Sequence, residues 1–315
     1  FIDFPQQPSL TTEQRAHAKR RFYQIVNHFD SSNSGEVKYN RSLLIRYTYE
    51  YALSEESRDI FLQAFFQSMA LSIDEAEDVP IDFSDKEMAE GLGSAFSSFS
   101  DYLLDGFFLP SCAKKTLQPS PTFLSATLDA QGGEPLFLGT IDRVASLRGQ
   151  CLIRDRHRCI VSRKFDSNEA VLRGRRDGDD ARDDDGNAFP PGLDQYEQLE
   201  VAHILPRSLT ETDQSSSELP HTYQIDSFLP RFMTQHGFPV TRTLYSTESR
   251  TIEPPSPRLF AVHRAIAHVL HLSAAGEYID KLLREFEEKG VQQDGSTELD
   301  RFVKLRLGGW YDGTV

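Results

Sequence analysis

Leu199-Glu200-Val201-Ala202-His203-Ile204-Leu205-Pro206 is the stretch on which the reading of this chain turns. Its apolar residues predict a short strand, and Pro206 ends it because proline has no amide to give to a ladder. His203 is left at the strand's end. Glu200 lies an odd number of positions away and so faces the opposite side of a regular strand. Upstream, Leu152-Ile153-Arg154-Asp155-Arg156-His157-Arg158-Cys159-Ile160-Val161 reads as a second short β-rich run led in by arginines. The expectation is that Cys159–Ser162 and Leu199–Ile204 pair antiparallel, with 165–195 a mobile excursion between them. Within that excursion, residues 173–186 are almost wholly Arg, Asp and Gly, a composition that suits a solvated loop.

Working outward, helices dominate. Thr11 and Gln14 form a capping box before a stripe of Phe22, Ile25, Val26 and Phe29. A second helix is predicted over 42–51, with Leu44, Tyr47 and Tyr51 inward. Ser54 caps a third carrying Ile60, Phe61, Ala64, Phe65 and Met69. Ser84 with Glu87 caps a fourth, with Met88, Leu92, Ala95, Phe96, Phe99 and Leu103 on one face. Asp30 to Gly35 has the opening of an EF-hand loop, but the twelfth position is Arg41 where calcium needs a bidentate glutamate; it reads as a polar connection. Pro, Ser, Gln and Gly then mark 110–139 as an irregular arm. A helix near 140–148 leads into the first β-rich run. Beyond 206, short strands or loops are expected over 223–245. Ser256-Pro257 opens a helix with Leu259, Val262, Ile266, Val269 and Leu270, and 273–288 continues it with Ile279, Leu282, Leu283 and Phe286.

With 315 residues the chain can bury a substantial core. Its net charge of −14 weighs against a nucleic-acid partner, since phosphate binding draws on basic surface, although a local patch can oppose the global sign. Cys112, Cys151 and Cys159 form no CxxC pair, so a reducing intracellular compartment, cytoplasmic or nuclear, is expected. No membrane span is expected. The start at Phe1, without Met or a signal-like segment, suggests a fragment or a trimmed chain.

Taken together, Leu147-Arg148-Gly149-Gln150-Cys151-Leu152, Arg154-Asp155, Arg158-Cys159 and Glu200-Val201-Ala202-His203-Ile204-Leu205-Pro206 resemble the core of HNH (ββα-metal) endonucleases, in particular a filamentous-fungal group of HNH-domain proteins. Pro255 to Leu259 and Ser273 to Asp280 match that group as well, so the resemblance spans nearly the whole chain. It implies an α+β, mostly α fold: N-terminal and C-terminal helices around a small, partial ββα hairpin. The implied chemistry is divalent-metal-dependent hydrolysis of nucleic-acid phosphodiesters using Mg, Mn, Ni or Zn. His203 would be the general base on water, a role suited to a side chain whose free pKa lies near neutrality.

The departure from the pattern is equally specific. In the family the strand-ending histidine is followed by a loop-fixing Asn and a helix bearing a metal-ligating His. None of residues 207–220 is Asn or His, and no Asn follows Asn187. The expectation is therefore an impaired or inactive enzyme that keeps the base without the metal shell, with a chain that binds no metal as the limiting case. Substitute ligands to consider are His221 and His236 on loops, and the His268/His271 pair at i,i+3 on the C-terminal helix. Alternatives are a non-enzymatic helical scaffold that binds a protein or nucleic-acid partner, or a small-molecule acid–base site around His203. The expected organisation is a helical region 1–109, an arm 110–139, a partial HNH-like domain 140–220 with an acidic insertion 173–186, and a C-terminal region 221–315.

Overall fold

Thr11 and Gln14 open the first helix by the reciprocal bonds of a capping box: the Gln14 amide donates to Thr11 Oγ1 at 3.2 Å and the Thr11 amide to Gln14 Oε1 at 2.9 Å. In this computed structural model, which describes residues 9–31, 38–73, 81, 83–112, 148–199, 221–229, 237–244, 254–289 and 298–307, the fold is α+β and mostly α. The elements run α1 (Thr12–Ser31), α2 (Arg41–Glu50), α3 (Glu55–Ser68), α4 (Lys86–Leu103), β1 (Phe165–Asp166), α5 (Ser167–Asp177), β2 (Tyr196–Glu197), β3 (His221–Ile225), β4 (Val240–Leu244), α6 (Pro257–Leu272), α7 (Ala275–Lys289) and α8 (Leu299–Leu307). They fall into two compact units, one of N-terminal and C-terminal helices and one holding 148–199 and 221–257.

The helical unit is built on aromatic packing. Phe22 is fully buried, with its ring 5.0 Å from those of Tyr49 and Phe65 and 6.1 Å from Phe61. Phe65 reaches on to Phe96 and Phe99 on α4. Edge-to-face contacts of this kind add to the area that these rings bury. Asn40 and Ser54 cap α2 and α3. The cap of α4 is Asp85, not Ser84. Its carboxylate accepts from the Glu87 and Met88 amides, and a negative group is favoured at a helix N-terminus. Two faces rotate from the expected ones: Ile45 and Tyr49 are buried where Tyr47 and Tyr51 are half-buried, and Met88 is exposed. After Leu103 the chain widens into a π turn, Leu104–Phe108, before a last α turn, Leu109–Cys112, so the helical rod runs past residue 109.

Ser256-Pro257 opens α6 as expected, and the C-terminal stripes find their partner in this core. Val269, Ala275, Tyr278, Ile279, Leu282, Leu283, Phe286 and Leu305 join one buried cluster with the N-terminal helices. Ser273 makes the corner: its hydroxyl donates to the Val269 carbonyl, and its own carbonyl accepts the Asn40 amide at 2.9 Å. Arg301 on α8 donates to Asp105 in the π turn at 2.7 Å and also bonds Asp101, Tyr278 and Glu298.

The other unit departs from the strand reading. Residues 148–154 are helical, 160–162 form a turn, and only Arg158 makes a β-bridge, with Phe165. Cys159–Ser162, one side of the expected antiparallel pairing, is thus not a strand, and the described residues instead show a two-residue parallel pairing of β1 with β2, Phe165 with Tyr196 and Asp166 with Glu197. Residues 200–204 lie outside the described residues, as do 113–147 of the expected arm and helix and 32–37 of the polar connection. The 173–186 run is not an unstructured excursion: α5 extends into it, a 3-10 turn follows, and Arg182 bridges Ala188. β3 and β4 pair antiparallel from His221–Leu244 to Ile225–Val240.

Leu282, 3% exposed on α7, carries the predicted consequence of this packing. Leu282→Asp places an unpaired charge in the core and should cost roughly 3–5 kcal/mol, read as a lowered urea midpoint. An unchanged midpoint would mean that the face is solvated in solution.

Candidate functional site

Helix 148–154 ends with two consecutive residues in the left-handed region, Arg156 (φ 55°) and His157 (φ 51°). The His157 amide donates to the Leu152 carbonyl at 2.7 Å and the Arg156 amide to Ile153 at 3.2 Å, the paired bonds of a Schellman cap. Glycine is the usual residue at such a cap, and a side chain there costs roughly 1–2 kcal/mol per residue. The offset comes from the acidic run. Arg156 pairs with Asp185, His157 Nδ1 lies 2.8 Å from Asp184, and Arg158 donates to Asp183 at 2.5 Å. Three successive side chains thus meet three successive aspartates in antiparallel order.

Asp183 is the buried end of this row. One of its oxygens accepts the Asp185 and Asn187 amides, at 3.0 and 2.8 Å, and the other faces Arg158 and the Asn187 side chain. Burial pushes its carboxyl up, but the Asn187 and Arg158 bonds win and hold it below the usual range. Burial likewise raises Asp184, yet the bonds from His157 and from Arg173 at 2.7 Å bring it down to about 2. Arg173 also donates to Glu169 at 2.7 Å and to the Arg182 carbonyl at 3.0 Å. The Arg158 and Arg173 guanidiniums each sit 5.4 Å from the centre of the Phe165 ring.

Phe165 leads directly to Asp166, which is fully buried. One Asp166 oxygen caps α5 through the Glu169 amide at 2.9 Å, and the other accepts the Leu199 amide at 3.1 Å. Arg148 donates to the Leu199 carbonyl at 2.9 Å. Both backbone groups of Leu199 are therefore held by side chains from the Leu147–Cys159 motif region and β1, four residues before His203. His157 and Asp184 have the pairing of an acid–base dyad, but with the ring 6% exposed the pair acts as a clamp.

His203, Glu200 and His236 lie outside the described residues. His221 opens β3, with its backbone opposite Leu244. On α6, His268 Nδ1 donates to the Arg264 carbonyl at 2.8 Å, its ring lies 4.9 Å from that of Tyr51, and His271 is exposed on the next turn. Among the described residues no group of three His, Cys, Asp or Glu is placed to hold a metal ion, and no third ligand joins the His268/His271 pair. The described residues therefore do not supply the metal shell that the resemblance implies. The site residues missed in sequence are His157, Asp166, Asp183 and Asp184. The signal for the first, third and fourth was the matching lengths of Arg156-His157-Arg158 and Asp183-Asp184-Asp185.

Both carboxylates can be tested. Because the folded Asp184 pKa lies below the unfolded value of about 3.9, its stabilisation is complete above that value and is lost as pH falls through about 2. Asp184→Asn should flatten the acid-unfolding curve between those limits, measured by circular dichroism; an unaltered curve would leave the pair without weight. Asp166→Ala should cost about 2–3 kcal/mol and speed hydrogen exchange at the Leu199 amide, and unchanged exchange there would contradict the assigned bond. Comparison with protein-family models, with curated proteins and with solved structures found no match.

Proposed function

We propose that this chain is an HNH-type, ββα-metal nuclease relative that retains the strand-ending base, His203, but hydrolyses nucleic-acid phosphodiesters poorly or not at all. The observation that carries the reading is the double hold on Leu199. Asp166 and Arg148, the latter in the entry motif, hold both backbone groups of Leu199, four residues before His203 in sequence.

The impairment rests on what residues 207–220 lack. They contain neither the loop-fixing Asn nor the downstream His of the HNH pattern. A base alone can activate water, but the larger part of the barrier in phosphoryl chemistry is the charge developing on phosphorus and the leaving oxygen. Without groups for that charge the rate falls by at least about 10²–10³.

The test is supercoiled plasmid incubated with the protein in Mg²⁺, Mn²⁺, Ni²⁺ or Zn²⁺. No nicking above that of His203→Ala is expected. Nicking that disappears in His203→Ala would overturn the impairment. An experimental structure placing His203 within a helix would overturn the nuclease descent itself.

A further inference from the structure

Several basic side chains of the smaller unit are occupied by its own aspartates, in a particular arrangement. Arg156, His157 and Arg158 from the turn after helix 148–154 and Arg173 from α5 converge on Asp183, Asp184 and Asp185, while Arg176 pairs with Asp177 at 2.7 Å. Consecutive aspartates present a run of closely spaced negative charges to these cations, as a phosphate backbone does. The planar guanidinium fork that binds a carboxylate binds a phosphate by the same paired N–H bonds. Two of the arginines, Arg156 and Arg176, are 52% and 71% exposed, so the cluster reaches the surface. Arg175 and Arg163 are exposed beside it.

We propose that Asp177–Asn187 is a built-in polyanion mimic that occupies a nucleic-acid phosphate-binding surface formed by Arg156, His157, Arg158, Arg173 and Arg176. The choice of nucleic acid rests on the nuclease reading above. The charge arrangement stands on the pairs themselves. The net charge of −14 then does not describe this face, whose cations are present but internally neutralised.

The exposed carboxylates Asp177, Asp179, Asp180 and Asp185 can be neutralised while Asp183 and Asp184 keep the loop closed. The variant D177N/D179N/D180N/D185N is titrated into a fluorescein-labelled DNA duplex of roughly 20 bp at low salt in EDTA, followed by anisotropy. A control, E13Q/E56Q/E87Q/E90Q, removes the same charge from exposed positions of the helical unit. The loop variant should bind at least about tenfold tighter than the control. Adding R156Q and R176Q should abolish that gain and lower the salt slope by about one for each phosphate that is no longer neutralised. Equal binding by the loop variant and the control, or a gain that survives R156Q/R176Q, overturns the proposal. EDTA keeps binding separate from hydrolysis, so a negative result here leaves the nuclease reading to the plasmid test. Circular dichroism melting of each variant verifies that it is folded; if D177N/D179N/D180N/D185N is not, the pair D179N/D180N carries the same comparison against E87Q/E90Q.

Discussion

A row of three side-chain pairings, two of them arginine–aspartate ion pairs, between residues 156–158 and 183–185 shapes the smaller unit. Its strands are two residues long on each side of β1–β2, too short to stand by themselves. Its described buried apolar side chains are few, Leu152, Phe165, Ala181 and Leu244 among them. The helix ending at 154 must also turn through two left-handed residues. The electrostatic row meets all three needs at once: it stabilises the strained cap, closes the 183–187 loop and holds the cations against Phe165. Its outer member, Arg156 with Asp185, is solvated and contributes little; the weight lies on Asp183 and Asp184, where burial makes an unpaired carboxylate costly.

The helical unit was legible because capping residues and a 3.6-residue stripe are local signals. Thr11, Ser54 and Ser256-Pro257 stand where the helices begin, and Phe22, Phe65, Phe96, Phe99, Leu282 and Phe286 are buried as their spacing implies. Other parts were decided by partners distant in the chain. Leu152-Ile153 is too short an apolar pair for periodicity to separate strand from helix. The 173–186 run has the composition of a solvated loop, because composition registers its aspartates but not the arginines some 25 residues upstream that neutralise them. Helix α8 leaves Leu299 and Val303 exposed, and it docks through the buried Leu305 together with the Arg301 bond to Asp105. Asp166 in sequence is one more helix cap; only the fold shows that its second oxygen reaches Leu199.

The two units answer to different physics. The helical one is held by aromatic area removed from water, which salt leaves intact or strengthens. The other depends on ion pairs, whose exposed members are screened over about 8–10 Å at ordinary ionic strength. Salt is therefore a lever that separates them.

The π turn at Leu104–Phe108 has a consequence for how the long helix tolerates change in evolution. A π turn accommodates one residue more than the α-helical repeat does, and each residue advances the helical phase by about 100°. Asp105, paired with Arg301, lies inside the turn, and Leu109, buried at 1%, lies just beyond it. The turn has the form of an absorbed single-residue insertion. Removing one residue here would restore a regular helix while rotating every side chain beyond it by about 100°, which would swing Leu109 out of the core.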